Sequence, residues 1–331
     1  MWKVISNIYI LMLIATVGAT LSSCDVHEFP ADEKPEVQLL LDFADTAEMP
    51  LYKDVEYGNG DVLKTTRQPL ASSENFSVRH TIVAYAVDNS GKMSEEPAMR
   101  TVVTRPVAGG LDAAVSISLD RGKYVFYVWT DYVAKGTAVD LYYDTSALSD
   151  ITYVSKGDYH GSDDMRDCFR GEAAAAVGNG SATVKVRMER PLGKFVFITN
   201  DASRLTPETL AGYTVVFRYC GYMPSVFSLF QNKPIDSWQG VSFSSNVAQA
   251  DGNEATLGFD YVMMNGKETT VPIALEIYDG EKRRVAATEA VDVPLMRNRL
   301  TVVRGQFLTS KAAGGVDIKV DFDGEYDYEA D

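Results

Sequence analysis

The feature that most constrains this chain is an apolar alternation with a period of two. It recurs from residue 37 almost to the C-terminus. Val37, Leu39, Leu41 and Phe43 fall at every second position. Val115, Ile117 and Leu119 alternate with Ser116, Ser118 and Asp120, and Val184, Val186 and Met188 with Lys185, Arg187 and Glu189. Later runs place Leu257, Phe259, Tyr261 and Met263, then Val271, Ile273, Leu275 and Ile277, then Val316, Ile318, Val320 and Phe322 on one side each. A strand sends successive side chains to opposite faces, so such runs read as half-buried β-strands. Between Gly122 and Val133 both registers are apolar, with Tyr124, Phe126 and Val128 on one side and Val125, Tyr127 and Trp129 on the other. That strand is expected to be buried on both faces. Gly, Asn, Asp and Pro separate the runs. Helical spacing is scarce. Thr206–Leu210 suits a short helical turn, with Thr206 as cap and Pro207 in the first helical position. Residues 146–176 are less regular and predict loops and short turns. Near Cys220 the residues Tyr213, Val215, Phe217 and Tyr219 share a face, which suggests a buried free thiol there. The class is all-β, built as sandwiches. There are too many strands for one sandwich, and Arg190-Pro191 interrupts a long extended stretch, as a chain does when it passes between sheets. The expected units are an N-terminal β-sandwich over 36–190 and a C-terminal β-sandwich over 191–331.

Before the strands comes a different pattern. Met1-Trp2-Lys3 is a short basic start, and residues 8–21 are an almost unbroken apolar run. The run suits a signal-peptide core and is short for a membrane span. It ends in Leu21-Ser22-Ser23-Cys24, which resembles the lipobox read by bacterial lipoprotein signal peptidase. The resemblance implies that Leu21, Ser22 and Ser23 are read by the peptidase, that residues 1–23 are removed, and that Cys24 carries a covalent lipid. Several acyl chains on one cysteine anchor stably where one chain is marginal. Residues 24–35 are polar and acidic with Pro30 and Pro35, and read as a tether. Asp25, Glu28, Asp32 and Glu33 resemble the signals that send Bacteroidetes lipoproteins to the cell surface, an outer-membrane, outward-facing location.

Charge narrows the partners. The net charge of −15 and a sequence pI near 4.7 disfavour nucleic acid, which needs clustered Lys and Arg. Once Cys24 is taken by lipid, Cys168 and Cys220 remain. An exported chain permits a bridge between them, but spacing alone does not show that they meet.

The residues of an enzyme are hard to find. His27 lies in the tether, and His80 opens a strand as a surface or edge residue. His160 sits among Gly161, Ser162, Asp163 and Asp164, a loop composition, whereas triad members come from separate segments. No nucleophile elbow, zinc helix or phosphate loop is present. Asp321, Asp323, Glu325, Asp327, Glu329 and Asp331 alternate along one side of an extended segment rather than around a point, which suits a charged edge better than calcium. No metal and no cofactor beyond the lipid are expected. Trp238, in Asp236-Ser237-Trp238-Gln239-Gly240, reads as a loop tryptophan and is the candidate for ligand contact through its flat ring.

Several segments carry a wider resemblance. Cys24-Asp-Val-His-Glu-Phe-Pro30, Gly122-Lys-Tyr-Val-Phe-Tyr-Val-Trp-Thr-Asp-Tyr132, Arg166-Asp-Cys-Phe-Arg-Gly171 and Glu189-Arg-Pro-Leu-Gly-Lys-Phe195 are four of them. Tyr222-Met-Pro-Ser225, Leu257-Gly-Phe-Asp-Tyr261, Val293-Pro-Leu-Met-Arg-Asn298 and Thr301-Val-Val-Arg-Gly-Gln-Phe-Leu-Thr309 follow. Over nearly all of the mature chain they resemble a Bacteroidales lipoprotein family of unknown function related to fimbrillins. The resemblance implies two transthyretin-like sandwiches and a part in fimbrial assembly or adhesion. In polymerising fimbrillins a protease cuts after an arginine, removes the first strand, and the groove accepts a strand from the next subunit. Arg67, in Lys64-Thr-Thr-Arg-Gln-Pro69, stands where such a cut would fall, although a plain exposed loop arginine is the preferred reading of it. Residues 324–331 are too acidic for a donated strand, so an anchor, accessory or tip component is expected rather than a stalk subunit. Its expected partners are the membrane through the lipid and other fimbrial subunits. The alternative is a glycan-binding surface lipoprotein using exposed aromatics.

Overall fold

Alternation becomes architecture in the computed structural model, which describes residues 34–46, 48–57, 68–69, 74–154, 159–248 and 251–308. Seven strands form the first sandwich: β1 (Glu36–Asp42), β5 (Phe76–Val87), β6 (Met99–Pro106), β7 (Ala113–Ser118), β8 (Gly122–Ala134), β11 (Phe169–Val177) and β12 (Ala182–Glu189). Their order is β6-β5-β8-β11-β12-β1-β7. The path folds over at β11 and β12, which share only the pairs Arg170↔Glu189 and Gly171↔Met188. A Cβ on Gly171 would sit 2.4 Å from Met188 Sδ, so the corner needs glycine. Inside, Val37, Leu39 and Leu41 meet Ile82, Phe126, Val128 and Val186 in one buried cluster.

The second sandwich sets two sheets face to face. One runs β18-β13-β22-β3, from β3 (Leu51–Tyr57), β13 (Leu192–Thr199), β18 (Ala255–Met263) and β22 (Leu300–Gly305). The other runs β17-β14-β19-β20, from β14 (Thr214–Tyr219), β17 (Ser242–Asn246), β19 (Glu268–Tyr278) and β20 (Arg284–Ala287), with β21 (Val291–Met296) also on β19. Stacked Phe217 and Phe243, 4.7 Å apart, lie in its core. A further four-stranded sheet runs β16-β15-β10-β9, from β9 (Tyr143–Asp144), β10 (Ile151–Tyr153), β15 (Met223–Ser228) and β16 (Lys233–Trp238). Its Tyr143 and Phe227 rings pack 5.5 and 5.9 Å from Trp129. That explains the doubly apolar pattern of β8: Phe126 and Val128 face the first core, while Tyr127 and Trp129 belong to the second. The second core is continuous from Trp129 to Phe243, so the two sandwiches are joined through apolar packing.

The short helix α1 (Pro207–Ala211) forms where Thr206 and Pro207 predict it, and Thr206 Oγ1 accepts from the Thr209 amide at 3.3 Å. Other expectations need correction. Residues 146–176 hold β10 and most of β11 in addition to turns. His80 is not at an edge: β5 lies between β6 and β8, and the ring is 1% exposed with Nδ1 2.9 Å from Thr130 Oγ1. Burial pushes its pKa down to about 4. Cys220 is exposed, because it follows Tyr219 and takes the opposite, outward register. Cys168 is buried, and both thiols are free. One strand crosses the division expected at Arg190-Pro191: β3, from the first stretch, pairs in parallel with β22 of the second sandwich. The expected strand 316–322 lies outside the described residues.

Candidate functional site

The first strand is the natural place to begin, since its side chains have the simplest pattern. β1 lies between β12, parallel to it, and β7, antiparallel to it. Val37, Leu39, Leu41 and Phe43 are 0–2% exposed. Their burial is worth on the order of 6–12 kcal/mol at roughly 1.5–3 kcal/mol each. Phe43 packs edge-on against Phe169 at 5.2 Å, and its amide donates to Asp112 Oδ1 at 3.0 Å. The polar fastenings are superficial: Lys34–Asp120, Lys185–Asp42 and Arg187–Asp45 are surface ion pairs that add little. β1 therefore fills its groove by apolar complementarity.

The chain then crosses to the second sandwich. β3 lies along β22, where the Arg304 guanidinium meets Asp54 at 3.0 Å and Leu300 N donates to Pro50 O at 2.9 Å. A small separate pair, β2 (Glu48–Met49) with β4 (Gln68–Pro69), brings Gln68 and Pro69 beside Met49 and Glu48. Residues 36–57 thus stitch both sandwiches. Arg67 immediately precedes β4 but lies outside the described residues, as do Leu21, Ser22, Ser23 and Cys24.

A second stitch is a polar strap. Residues 159–168 run between the units and are held by buried charges. Ser162 N donates to Phe259 O at 2.7 Å, and Phe259 N donates back to Ser162 Oγ at 3.1 Å. Gly161 passes so close to Phe243 that a Cβ would sit 2.4 Å from its ring. Asp260, fully buried on β18, accepts from the Tyr159 and Tyr219 hydroxyls at 2.7 and 2.8 Å and lies 3.4 Å from Arg166 Nε. Arg166 also donates to the Tyr159 hydroxyl at 2.6 Å and sits 4.2 and 4.8 Å from the Tyr159 and Tyr153 ring centroids. Burial pushes the Asp260 carboxyl up, and the Arg166 guanidinium opposes it. Next to it, Asp167 receives Arg190 through Nε at 2.7 Å and Nη2 at 2.8 Å, and Asp164 receives Lys194 at 2.7 Å. Burial pushes the Lys194 ammonium down against the pull of Asp164. Asp260 and Lys194 have the shifted titration of catalytic groups, but both are engaged with buried partners, which makes them clamps.

Trp238 ends β16 rather than occupying a loop. It is half-buried, with its ring centroid 5.9 Å from that of Tyr153. His160 is exposed on the strap. Among the described residues no group of three or more His, Cys, Asp or Glu is placed to hold a metal ion. Sequence reasoning missed the strap. The available signal was Asp260 inside the apolar run Leu257-Gly-Phe-Asp-Tyr261, since an acid there requires a buried partner.

A family model described as a family of unknown function, DUF6562, matches residues 44–331. None of the curated proteins matches the chain. Among solved structures, a candidate polysaccharide-binding protein (DUF1812) from Bacteroides thetaiotaomicron is 11% identical, with a TM-score of 0.44 over 77% of this chain and 80% of that one. A candidate adhesin from Bacteroides ovatus is 12% identical, with a TM-score of 0.44 over 86% and 94%. The fimbrial anchor protein Mfa2 from Porphyromonas gingivalis is 9% identical, with a TM-score of 0.37 over 77% and 82%.

Proposed function

Because the chain belongs to this family of unknown function, we propose its role from its own features: a surface-exposed outer-membrane lipoprotein that serves as an anchor, accessory or tip component in fimbrial assembly or adhesion. The observation that carries the reading is β1. The groove of the first sandwich is filled by the chain's own first strand, with Val37, Leu39 and Leu41 buried between β12 and β7. A subunit with its groove already filled suits an end of an assembly better than its middle. The Leu21-Ser22-Ser23-Cys24 sequence supports the anchor, with lipid carried on Cys24. The acid-rich residues 324–331 support the same placement, since they are ill suited to fill another subunit's groove. Glycan binding through Trp238 is the weaker reading, because the ring is lodged against Tyr153 instead of standing free.

The test is mass spectrometry of the native protein from outer-membrane fractions, reading its N-terminus. The expected result is an intact chain that begins at lipid-modified Cys24. A chain that begins at Gln68 would mean that β1 and β3 are removed in the cell. The anchor reading would then give way to a polymerising subunit.

A further inference from the structure

A cavity of about 480 Å³ opens where the end of β12 meets the turn after β21. Its lining is cationic in a chain whose net charge is −15. Two of the cations are already satisfied: Arg187 by Asp45 at 2.7 Å, and Arg190 by Asp167. Glu189, the other acid of the lining, lies 3.8 Å from Arg170. Lys267, Arg297 and Arg299 form no ion pair within 4 Å among the described residues. Arg297 is fixed in place, donating through Nη1 to the Asn232 side chain at 2.8 Å and through Nη2 to the Asn232 and Met264 carbonyls at 3.1 and 3.0 Å. Its Nε is buried and has no hydrogen-bond partner. Arg299 donates to the Asn298 carbonyl at 3.0 Å and also borders the cavity. Half-buried Met296 gives the cavity an apolar side. The lining sets five cations against two acids, one of which, Glu189, also acts on Arg297, and the excess focuses a positive potential there.

The chain carries a matching anion. Asp321, Asp323, Glu325, Asp327, Glu329 and Asp331 alternate with residues that include Phe322, Tyr326 and Tyr328. These residues lie outside the described ones, and the last described residue is Leu308. Arg299 directly precedes β22 and Leu308 closely follows it past a turn, so the two are separated by at most roughly 30 Å at about 3.3 Å per residue. Residues 309–320 span up to about 40 Å when extended. The acidic segment can therefore reach back to the cavity of its own chain.

We propose that the cavity lined by Lys267, Arg297 and Arg299 is a carboxylate-binding site, and that its occupant is the chain's own acidic segment, residues 321–331. Carboxylates pair with the fixed guanidiniums, and the interleaved tyrosines lie on Met296. The proposal is independent of the fimbrial reading.

The test uses the chain without its signal segment, either complete or ending at Phe322, and a fluorescent peptide of residues 321–331. By anisotropy at low ionic strength the peptide binds the shortened chain. The complete chain binds it about tenfold or more weakly, because the tethered segment competes at high effective concentration. Binding to the shortened chain falls about tenfold or more at about 0.3 M salt, and likewise in the Lys267→Glu/Arg299→Glu variant with unchanged melting temperature. If the double variant does not fold, exposed Lys267→Glu alone serves. Absence of binding, equal affinity for the two chain lengths, or binding indifferent to charge reversal would each overturn the proposal. So would a soluble polyuronate that binds the shortened chain when the peptide does not, which would assign the cavity to an acidic saccharide.

Discussion

Replacing Asp260 with alanine tests the polar strap directly. The carboxylate is fully buried and accepts from two tyrosine hydroxyls and the Tyr261 amide, with Arg166 Nε at 3.4 Å. Alanine leaves the 3%-exposed Arg166 without its carboxylate and two hydroxyls without an acceptor. Breaking a buried pair by removing one partner costs about 3–5 kcal/mol, because the other charge stays buried without compensation. At roughly 2–4 °C per kcal/mol for a chain of this size, the melting temperature should fall by about 6–20 °C. Asp260→Asn should cost less, about 2 kcal/mol, since its oxygen still accepts a hydrogen bond. Joint replacement by Arg166→Met and Asp260→Leu should recover much of the loss, which distinguishes an orphaned charge from general damage. Urea unfolding followed by tyrosine and tryptophan fluorescence gives the free energies. A loss below about 1 kcal/mol for Asp260→Ala would refute the reasoning that the strap is an interdependent buried network.

His80 should make the protein acid-sensitive. Its folded pKa is about 4 and its unfolded one about 6.5. The neutral ring therefore contributes stability that is complete above pH 6.5 and is lost as pH falls toward 4, with about 2 kcal/mol gone by pH 5. His80→Gln should reduce the stability difference between pH 7 and pH 5 by about that amount in urea titrations. Asp131, pushed up to about 6 by burial beside Arg79, acts in the opposite sense but is common to both proteins. An unchanged pH dependence in the variant would refute the assignment. Gly161→Ala should destabilise by about 1–3 kcal/mol through its clash with the Phe243 ring, and Phe243→Leu should relieve part of that, read from urea midpoints. In a chain that begins at Asp25, a thiol reagent should modify one cysteine in the folded state, Cys220, and a second, Cys168, only in denaturant.

Local chemistry by itself determined much of this protein. Alternation in residues 37–43, 184–188 and 271–277 is enough to make β1, β12 and β19, since one apolar face must be covered whatever covers it. The doubly apolar run in β8 announced two coverings, and Thr206-Pro207 announced α1. Residues 51–57 carry no such pattern, and only tertiary pairing made them β3, on a partner about 250 residues away in sequence. Likewise, nothing near His80 says that β6 covers its strand, and nothing near Lys267 says that Arg297 and Arg299 will face the same cavity. Period and turn residues act over a few positions, and they set which face of a segment is apolar. Which distant surface that face meets, and which charges are then stranded together, is decided only when the sheets close over one another.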